Sequence, residues 1–265
     1  MRGRVLIIAG SDSGGGAGIQ ADIKTVSMLD AYAATAVTAL TAQNTEGVFG
    51  VLPIPPEFVR RQIELVLDDI GADAIKTGML HDLPVIETIA AALHERAGGI
   101  PLVVDPVMVA KGGARLIDPA ALDGLKQLLI ARAEIVTPNL PEAEILCGAS
   151  IGNPAEMRAA GESLLTLGCR SVLVKGGHLS GNTIWDVLVT DSGARVWESP
   201  RLATRHTHGT GCTLASAIAA GLAQGLNVEA TVDRARAYVQ RAIANAPGFG
   251  RDHGPLDHSH PLHSH

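Results

Sequence analysis

The chain has little cysteine and no long apolar run, and each absence excludes a class of protein. Its 265 residues include three cysteines, Cys147, Cys169 and Cys212. Their odd number and the lack of a C-x-x-C pair argue against a disulfide framework or a zinc site, and they favour a reducing, cytoplasmic location. The apolar run near the N-terminus covers only residues 5–9, which is too short for a signal-peptide core or a membrane span.

The chain also lacks an excess of positive charge. It carries 21 Lys and Arg against 27 Asp and Glu, for a formal net charge of -6. We therefore expect neither nucleic acid nor a membrane as a partner, and an anionic ligand must be held locally. With 46% hydrophobic residues the chain can bury a large core. Because no Ser/Pro-rich linker and no internal repeat divide it, we expect a single domain over residues 1–265.

Short apolar runs alternate with stretches of helical spacing. Nearly continuous apolar runs, which are typical of parallel strands covered on both faces, occupy residues 5–9, 72–76, 102–105, 134–137 and 171–175. Helical spacing occurs at residues 19–29, 57–67, 84–95, 120–130 and 156–167. This alternation predicts βαβ units around a mostly parallel central sheet, which is the plan of a three-layer α/β/α sandwich.

Two further segments depart from that alternation. Residues 183–190 and 195–198 predict an antiparallel hairpin that turns at Asp191-Ser-Gly193, and helices are expected to begin near Gly211 and Val228. Residues 257–265 read DHSHPLHSH. We expect a flexible, solvated tail from about residue 250, because chain ends are usually poorly ordered. Its histidines lack the structured surroundings of a physiological metal site.

A glycine-rich loop at residues 10–18 follows the first strand and opens a helix. In open α/β sheets this is a place where ligands meet backbone N–H groups. Residues 16–21 fit the loose dinucleotide pattern G-x-G-x-x-A, but the predicted strand at 35–41 carries no carboxylate for a ribose. A P-loop at residues 18–25 would need a glycine where Ile23 stands. A turn that only links strand to helix is the remaining alternative.

A second glycine-rich turn, HTHGTGC at residues 206–212, runs into an apolar helix. Gly209 and Gly211 allow several N–H groups to converge at the helix start, where the helix dipole adds roughly half a positive charge. Such an arrangement stabilises a transferring phosphoryl group. Cys212 lies in the first turn, where the same field favours the thiolate, so it is a candidate general base. The alternative is a small buried cysteine. For His206 and His208 we expect local backbone bonding.

Seven motifs in order give the chain a resemblance that covers almost its whole length. They are AGSDSGGGAGIQAD at 9–22, TALTAQNT at 38–45, IKTGML at 75–80, VDPVM at 104–108, TPNLPEA at 137–143, VKGGH at 174–178 and THGTGCT at 207–213. Together they resemble the bacterial hydroxymethylpyrimidine/phosphomethylpyrimidine kinases of thiamine biosynthesis, within the ribokinase-like superfamily. The resemblance implies ATP and Mg²⁺ as cofactors, a homodimer, and phosphorylation of 4-amino-5-hydroxymethyl-2-methylpyrimidine and then of its monophosphate.

The same resemblance implies a substrate site over the carboxyl ends of the strands. Gln43 would pair its amide with the aminopyrimidine edge, because the amide offers both a donor and an acceptor. Gly10, Met79 and Val107 would line the pocket. Apart from the resemblance, Gln43 could bond its own backbone, and Met79 could simply fill the core.

A phosphate and metal site is implied as well. Asn139 and Glu142 resemble the superfamily motif N-x-x-E that organises magnesium around the ATP phosphates, and Asp105 ends a strand at the same edge. Carboxylates suit Mg²⁺, a hard cation. Without a metal, Glu142 could complement the dipole of its own helix.

The remaining implied residues contact the phosphates directly. Lys175 would approach them as a point charge, although an unspecialised lysine at a strand end would only reach solvent. Thr210 and the amides of residues 209–212 would form the anion hole. Cys212 stands where the sugar kinases of the superfamily have aspartate, which fits the pyrimidine and pyridoxal branch. Most of the catalysis would then be electrostatic.

Three other functions stay open at this point. Pyridoxal kinase activity is the nearest, because the two ring systems are similar in size and the motifs overlap. A non-catalytic pyrimidine-binding module of the same fold is disfavoured by the joint presence of Asp105, Glu142, Lys175 and Cys212. A nicotinamide-dependent dehydrogenase rests only on the glycine pattern at residues 16–21.

Overall fold

The structure of the chain is a computed structural model that describes residues 1–108 and 121–263. The strands within these ranges are β1 (Arg4–Ala9), β2 (Tyr32–Val37), β3 (Ala39–Asn44), β4 (Gly47–Pro53), β5 (Ala74–Thr77), β6 (Leu102–Val104), β7 (Ile135–Val136), β8 (Ser171–Lys175), β9 (Thr183–Thr190) and β10 (Gly193–Pro200). A sheet of eight strands has the order β10-β9-β8-β7-β6-β5-β1-β2. Its neighbours from β2 to β8 run parallel, and β9 pairs antiparallel with β8 and β10.

Helices cover both faces of this sheet. They are α1 (Gly18–Met28), α2 (Pro56–Asp69), α3 (Leu83–Arg96), α4 (Ala121–Gly124), α5 (Leu140–Cys147), α6 (Pro154–Leu165), α7 (Thr210–Ala223) and α8 (Val228–Ala244). One buried cluster packs helices α2 through α6 against one face of the sheet. A second cluster packs α1, α7 and α8 against the other face. The predicted three-layer α/β/α sandwich is confirmed. None of these helices is long and apolar enough to cross a membrane.

Strand β1 shows why the sequence reads as continuous apolar runs. Leu6 and Ile8 belong to the cluster on one face, and Val5 and Ile7 to the cluster on the other. All four side chains are fully buried. Side chains alternate across a strand, so a strand covered on both faces must be apolar at every position. Each such side chain contributes about 1.5–3 kcal/mol through burial, and together they fix the sheet edge where β1 ends.

The expected strand at residues 35–41 is divided in the structure. β2 ends at Val37, and β3 pairs antiparallel with β4 in a separate two-stranded sheet. The buried Thr38 lies at the break, where its N–H bonds Ala9 O at 3.1 Å and its hydroxyl donates to Met79 O at 2.6 Å. These bonds hold the chain at the end of β1 and direct the hairpin away from the main sheet.

The helix expected over residues 120–130 lies partly outside the described residues. From Ala121 the segment is α-helical as far as Gly124, and then a π-helical stretch (Leu125–Leu129) and a 3-10 turn (Ile130–Arg132) follow. The buried side chains of Leu125, Leu129 and Ile130 join the same cluster as α3. The predicted periodicity is therefore right about the buried face and wrong about a uniform α-helix.

The expectation of a solvated tail from about residue 250 is wrong for its central part. Leu256 and His258 are 3% and 4% exposed. His258 Nε2 lies 3.0 Å from Thr213 Oγ1, and the Tyr238 hydroxyl donates to His258 O at 2.6 Å. Burial lowers the pKa of His258 to about 4. Because α7 and α8 both bond this segment, it is a packed part of the protein rather than a free end.

Candidate active site

A cleft of about 710 Å³ lies over the carboxyl ends of the parallel strands. It is lined by residues that follow β1, β5 and β6, by the end of β8 and by the start of α7. This is the edge at which open α/β sheets bind ligands, and the volume suits a small molecule. The cleft brings together every residue that the sequence predicts for the site, namely Gly10, Gln43, Met79, Asp105, Val107, Asn139, Glu142, Lys175, Gly209, Thr210, Gly211 and Cys212.

The two glycine-rich segments pack directly against each other at the start of α7. Gly209 has φ +80°, and a Cβ there would overlap the carbonyl oxygen of Gly16. A Cβ on Gly211 would lie 3.2 Å from Lys175 Nζ. Gly209 is therefore needed for the close approach of the two segments, and Gly211 leaves space for the Lys175 ammonium. The Thr210 hydroxyl and N–H both donate to Thr207 O, at 2.7 and 3.5 Å, which fixes the turn at the start of α7, where residues 209–212 line the cleft.

Lys175 and Asp105 form an ion pair within the cleft. Lys175 Nζ donates to Asp105 Oδ1 at 3.0 Å, and the Thr137 hydroxyl donates to the same oxygen at 3.1 Å. Burial alone would lower the pKa of Lys175, but Asp105 and Glu142 outweigh it and raise the pKa. The lysine is therefore a fixed positive charge beside the start of α7.

Glu142 is a buried acid in the first turn of α5. It forms a capping box with Asn139, in which Glu142 N donates to Asn139 Oδ1 at 2.9 Å and Asn139 N donates to Glu142 Oε2 at 2.8 Å. Burial and the neighbouring Asp105 raise the pKa of Glu142 to about 7, although Lys175 lowers it. The capping role is thus present. Among the described residues there is no group of three or more His, Cys, Asp or Glu side chains that could hold a metal by themselves.

Cys212 differs from its expected ionisation state. Burial raises the pKa of the thiol to about 12, and Asp22 and Asp105 add to the effect, although Lys76 and the Gly18 N–H act in the opposite direction. The expectation that the helix field favours the thiolate is wrong, because desolvation of the charged form exceeds that field. In the free protein Cys212 is a thiol at neutral pH.

A buried ion pair that the sequence reasoning missed adjoins the same cleft, and its lysine, Lys76, lines the cleft. Lys76 Nζ lies 2.8 Å from Asp22 Oδ2, and both side chains are fully buried. Ser216 donates to the other oxygen, Asp22 Oδ1, at 2.6 Å. The pair ties β5 to α1 and α7. The sequence signal was the lysine itself, which interrupts an otherwise apolar strand.

The first glycine-rich loop folds around the side chain of Asp12. The carboxylate accepts N–H bonds from Gly14, Gly16 and Ala17 at 2.8, 3.1 and 2.8 Å. Burial opposes ionisation of Asp12, but these bonds and His208 lower its pKa below the usual value. The loop N–H groups therefore have an anionic partner within the protein. This favours the turn interpretation over the dinucleotide loop and the P-loop.

Gln43 lies at the end of β3 with its backbone held by Ser13. The Ser13 hydroxyl donates to Gln43 O at 2.7 Å and accepts from Gln43 N at 2.8 Å. The Gln43 carboxamide lies 3.3 Å from Thr41 Oγ1 and 3.2 Å from His208 Nε2. The expectation that His208 bonds only local backbone is wrong, because its ring also lies 2.8 Å from Asp12 Oδ2.

Met79 and Gly10 adjoin each other in the wall of the cleft. A Cβ on Gly10 would overlap Met79 Cε. Met79 is 9% exposed, so the side chain both fills space and reaches the cleft, and the two interpretations of this residue hold together. Val107 lies beside them after β6, where its N–H bonds Asp105 O at 2.8 Å.

Comparison with known proteins assigns the chain to a family. The family model described as phosphomethylpyrimidine kinase matches residues 12–257. The chain belongs to this family. Hydroxymethylpyrimidine/phosphomethylpyrimidine kinase of Bacillus subtilis is 46% identical over 96% of the chain and 94% of that protein. The thiamine biosynthesis bifunctional protein ThiED of Geobacter sulfurreducens is 52% identical over 97% of the chain, which corresponds to 52% of the longer relative.

Solved structures of phosphomethylpyrimidine kinases and pyridoxal kinases share the fold. The phosphomethylpyrimidine kinase of Clostridium difficile is 42% identical and gives a TM-score of 0.81 over 91% of this chain and 99% of that one. The Bacillus subtilis pyridoxal kinase, solved as an ADP complex, is 34% identical and gives a TM-score of 0.91 over the full length of both chains. The predicted family is confirmed. Because both kinds of kinase share the fold, the fold alone does not distinguish a pyrimidine substrate from pyridoxal.

Proposed function

We propose that this protein transfers the γ-phosphoryl group of ATP to the hydroxymethyl group of 4-amino-5-hydroxymethyl-2-methylpyrimidine, and then a second phosphoryl group to the monophosphate, in thiamine biosynthesis. The observation that carries the proposal is a single cleft that holds the Gln43 carboxamide together with the Lys175–Asp105 pair and the start of α7. Relatives that are 43–52% identical carry names with this activity or this pathway.

The pyrimidine site is supported by the polar and apolar groups around Gln43. A carboxamide can donate to a ring nitrogen and accept from an exocyclic amine at the same time, which matches an aminopyrimidine edge. Met79 and Val107 line the cleft with apolar surface for the ring, and Gly10 leaves room for Met79. The ring would thus be bound by contact area and oriented by one amide.

The phosphate site is supported by positive charge at the start of α7. Lys175 Nζ and the N–H groups of residues 209–212 would stabilise the charge that develops on the transferring group, together with the dipole of α7. In phosphoryl transfer most of the catalysis comes from positioning and charge stabilisation. ATP is the donor that the family and its nucleotide-bound neighbours support.

Magnesium fits the carboxylates of the site. Asp105 and Glu142 both line the cleft, and the raised pKa of Glu142 reflects a buried acid that lacks sufficient positive charge nearby. Two carboxylates completed by waters and phosphates are a typical Mg²⁺ environment. When bound, the ion would neutralise phosphate charge, with Asp105 and Glu142 as its protein ligands.

Cys212 is the candidate acceptor for the hydroxyl proton. The nearby Lys76 ammonium favours the thiolate, whereas burial favours the thiol. Only the thiolate can accept the proton. Because the pKa is raised, the sulfur holds the proton tightly once it has accepted it, but only a small fraction of the protein carries the thiolate beforehand. Charge stabilisation by Lys175 and the anion hole therefore has the larger share of the rate enhancement.

A homodimer in the cytoplasm completes the proposal. The β3–β4 sheet and the start of α2 expose large apolar side chains, Phe49, Leu52 and Phe58, at 72%, 62% and 58%. Apolar surface of this kind is typical of an interface. Light scattering on the purified chain should give twice the chain mass, and Phe49→Asp should reduce it to a monomer.

Pyridoxal kinase activity is the second candidate, because a pyridoxal kinase matches the fold over the full length of the chain. The test is ATP consumption in the presence of Mg²⁺, measured with the pyrimidine, with pyridoxal and without substrate. Consumption that depends on the pyrimidine supports the proposal. Consumption with pyridoxal alone moves the protein to the second candidate, and none with either supports a non-catalytic binding module.

A further inference from the structure

The side chains of Asp12, His208, Gln43 and Thr41 form one chain of polar contacts beside the cleft. His208 Nε2 lies 2.8 Å from Asp12 Oδ2 and 3.2 Å from the Gln43 carboxamide. The other end of that carboxamide lies 3.3 Å from Thr41 Oγ1. Asp12 and His208 are 3% and 13% exposed at their side chains, so these contacts are not shared freely with water.

The number of donors among these four side chains determines where their hydrogen atoms lie. An ionised carboxylate only accepts, so His208 Nε2 must carry a proton and donate it to Asp12. A protonated Nε2 cannot accept from an amide NH₂ group, so Gln43 can face it only with the amide oxygen. That oxygen is then the second, longer acceptor of the one N–H, which it shares with Asp12 Oδ2. At the other end, the single hydroxyl proton of Thr41 is already donated to Ser11 O at 2.9 Å. The structure places Gln43 Oε1 3.3 Å from Thr41 Oγ1 and Gln43 Nε2 3.2 Å from His208 Nε2, which sets two N–H donors opposite each other at His208. The reversed amide removes this conflict, and Thr41 Oγ1, whose proton is used, then accepts from the amide nitrogen.

The contacts at His208 and at Thr41 require the same orientation of the Gln43 amide. We infer that Gln43 directs its oxygen at His208 and its nitrogen at Thr41, and that His208, held by Asp12, is the positioning residue that sets this orientation. Each amide atom then keeps one further site, a lone pair on the oxygen and an N–H on the nitrogen. The ligand that would bond this lone pair and this N–H is taken from the proposed function, so this part of the inference rests on it.

The orientation determines which way round an aminopyrimidine can bind. Its exocyclic amine would bond the amide oxygen on the His208 side, and the adjacent ring nitrogen would accept from the N–H on the Thr41 side. A ring that lacks the amine would leave the oxygen without that partner, and unpaired polar groups in a site penalise binding strongly. His208 is therefore a specificity-determining residue, although it acts through Gln43.

The first test is kinetic and uses His208→Leu, His208→Gln and the exposed His94→Leu as a matched control. Loss of the positioning bond should raise KM for the pyrimidine by about tenfold, which is the effect of one hydrogen bond. KM for ATP and kcat should change little, and His208→Gln, which keeps an N–H donor, should recover most of the loss. In a Gln43→Leu background, His208→Leu should have almost no further effect. An equal loss with and without Gln43, or a loss in kcat alone, would overturn the inference.

The second test does not depend on activity, so it separates failure of this inference from failure of the proposed function. The side-chain NH₂ signals of Gln43 can be assigned in a ¹⁵N-labelled protein by their absence in Gln43→Glu. In the wild type they should be shifted away from free glutamine, and in His208→Leu they should move towards it. Identical signals in the two proteins would refute the positioning role, even if the pyrimidine proves to be a substrate.

Discussion

Replacement of Lys76 by methionine should destabilise the protein severely. The ammonium group lies 2.8 Å from Asp22 and neither side chain is exposed. Burial alone would lower the pKa of Lys76, but the carboxylates of Asp22 and Asp105 and the Cys212 sulfur raise it well above its ordinary value, so the lysine is charged in the folded protein. Methionine keeps the apolar length of the side chain and removes only the charge.

The expected loss follows from what the substitution leaves behind. Asp22 would remain in the core with Ser216 as its one neutral donor. Removal of one partner from a buried ion pair typically costs about 3–5 kcal/mol, against a total stability of about 5–15 kcal/mol for most proteins. The double variant Lys76→Met, Asp22→Leu should regain much of this, because an apolar pair leaves no buried charge.

Equilibrium unfolding in urea, followed by circular dichroism, measures both effects. Lys24→Met is the matched control, because Lys24 is exposed on the same helix as Asp22 and its ammonium bonds a backbone carbonyl, Gly15 O, at 2.8 Å rather than a carboxylate. Its loss should cost no more than about 1 kcal/mol. A loss below about 1 kcal/mol for Lys76→Met would refute the reasoning. Strict additivity of the two substitutions would refute it as well, since a real ion pair must show coupling.

Three further predictions concern the packed C-terminal segment and the start of α7. The pKa of His258 falls from 6.5 to about 4 on folding, so the neutral imidazole contributes fully to the free energy of unfolding above pH 6.5. As the pH falls from 6.5 to 4, this free energy should decrease by about 3 kcal/mol. In thermal unfolding scans, His258→Gln should show a smaller decrease in Tm over the same pH range. Cys212→Ala should lower kcat by about 100-fold without abolishing turnover, because charge stabilisation remains; undetectable product with intact ATP binding would contradict this. Gly209→Ala should abolish activity, since its Cβ would overlap the Gly16 carbonyl; wild-type rates would show that the two glycine segments are not in contact.

Much of the main sheet could be predicted from the sequence because burial on both faces leaves a strong local signal. The first strand and the strand at residues 171–175 were predicted within one residue of their observed ends. The β3–β4 hairpin was not, because it packs as a separate sheet in which the sequence pattern and the burial disagree. β4 reads GVFGVLP, yet most of its side chains are exposed, and β3 mixes polar and apolar residues. Its start depends on Thr38, whose bonds to Ala9 and Met79 are formed only in the folded chain.

The predicted site residues come together in one cleft, but their ionisation and their neighbours could not be predicted from motifs. Cys212 occupies the predicted helix turn, yet its pKa depends on desolvation and on Asp22 and Asp105, which are distant in sequence. His208 was expected to bond local backbone, and its partner Asp12 lies 196 residues away. The histidines of the tail were expected in solvent, although the pocket for His258 is built by α7 and α8.

The central claim is that the protein phosphorylates an aminopyrimidine, and the mass of the product tests it most directly. Incubation of the chain with ATP, Mg²⁺ and 4-amino-5-hydroxymethyl-2-methylpyrimidine should yield the pyrimidine carrying one and then two phosphoryl groups. Lys175→Met should yield little of either, because the fixed positive charge beside α7 is lost. An unmodified pyrimidine after prolonged incubation with the folded wild type, in a preparation shown to bind ATP, would contradict the account.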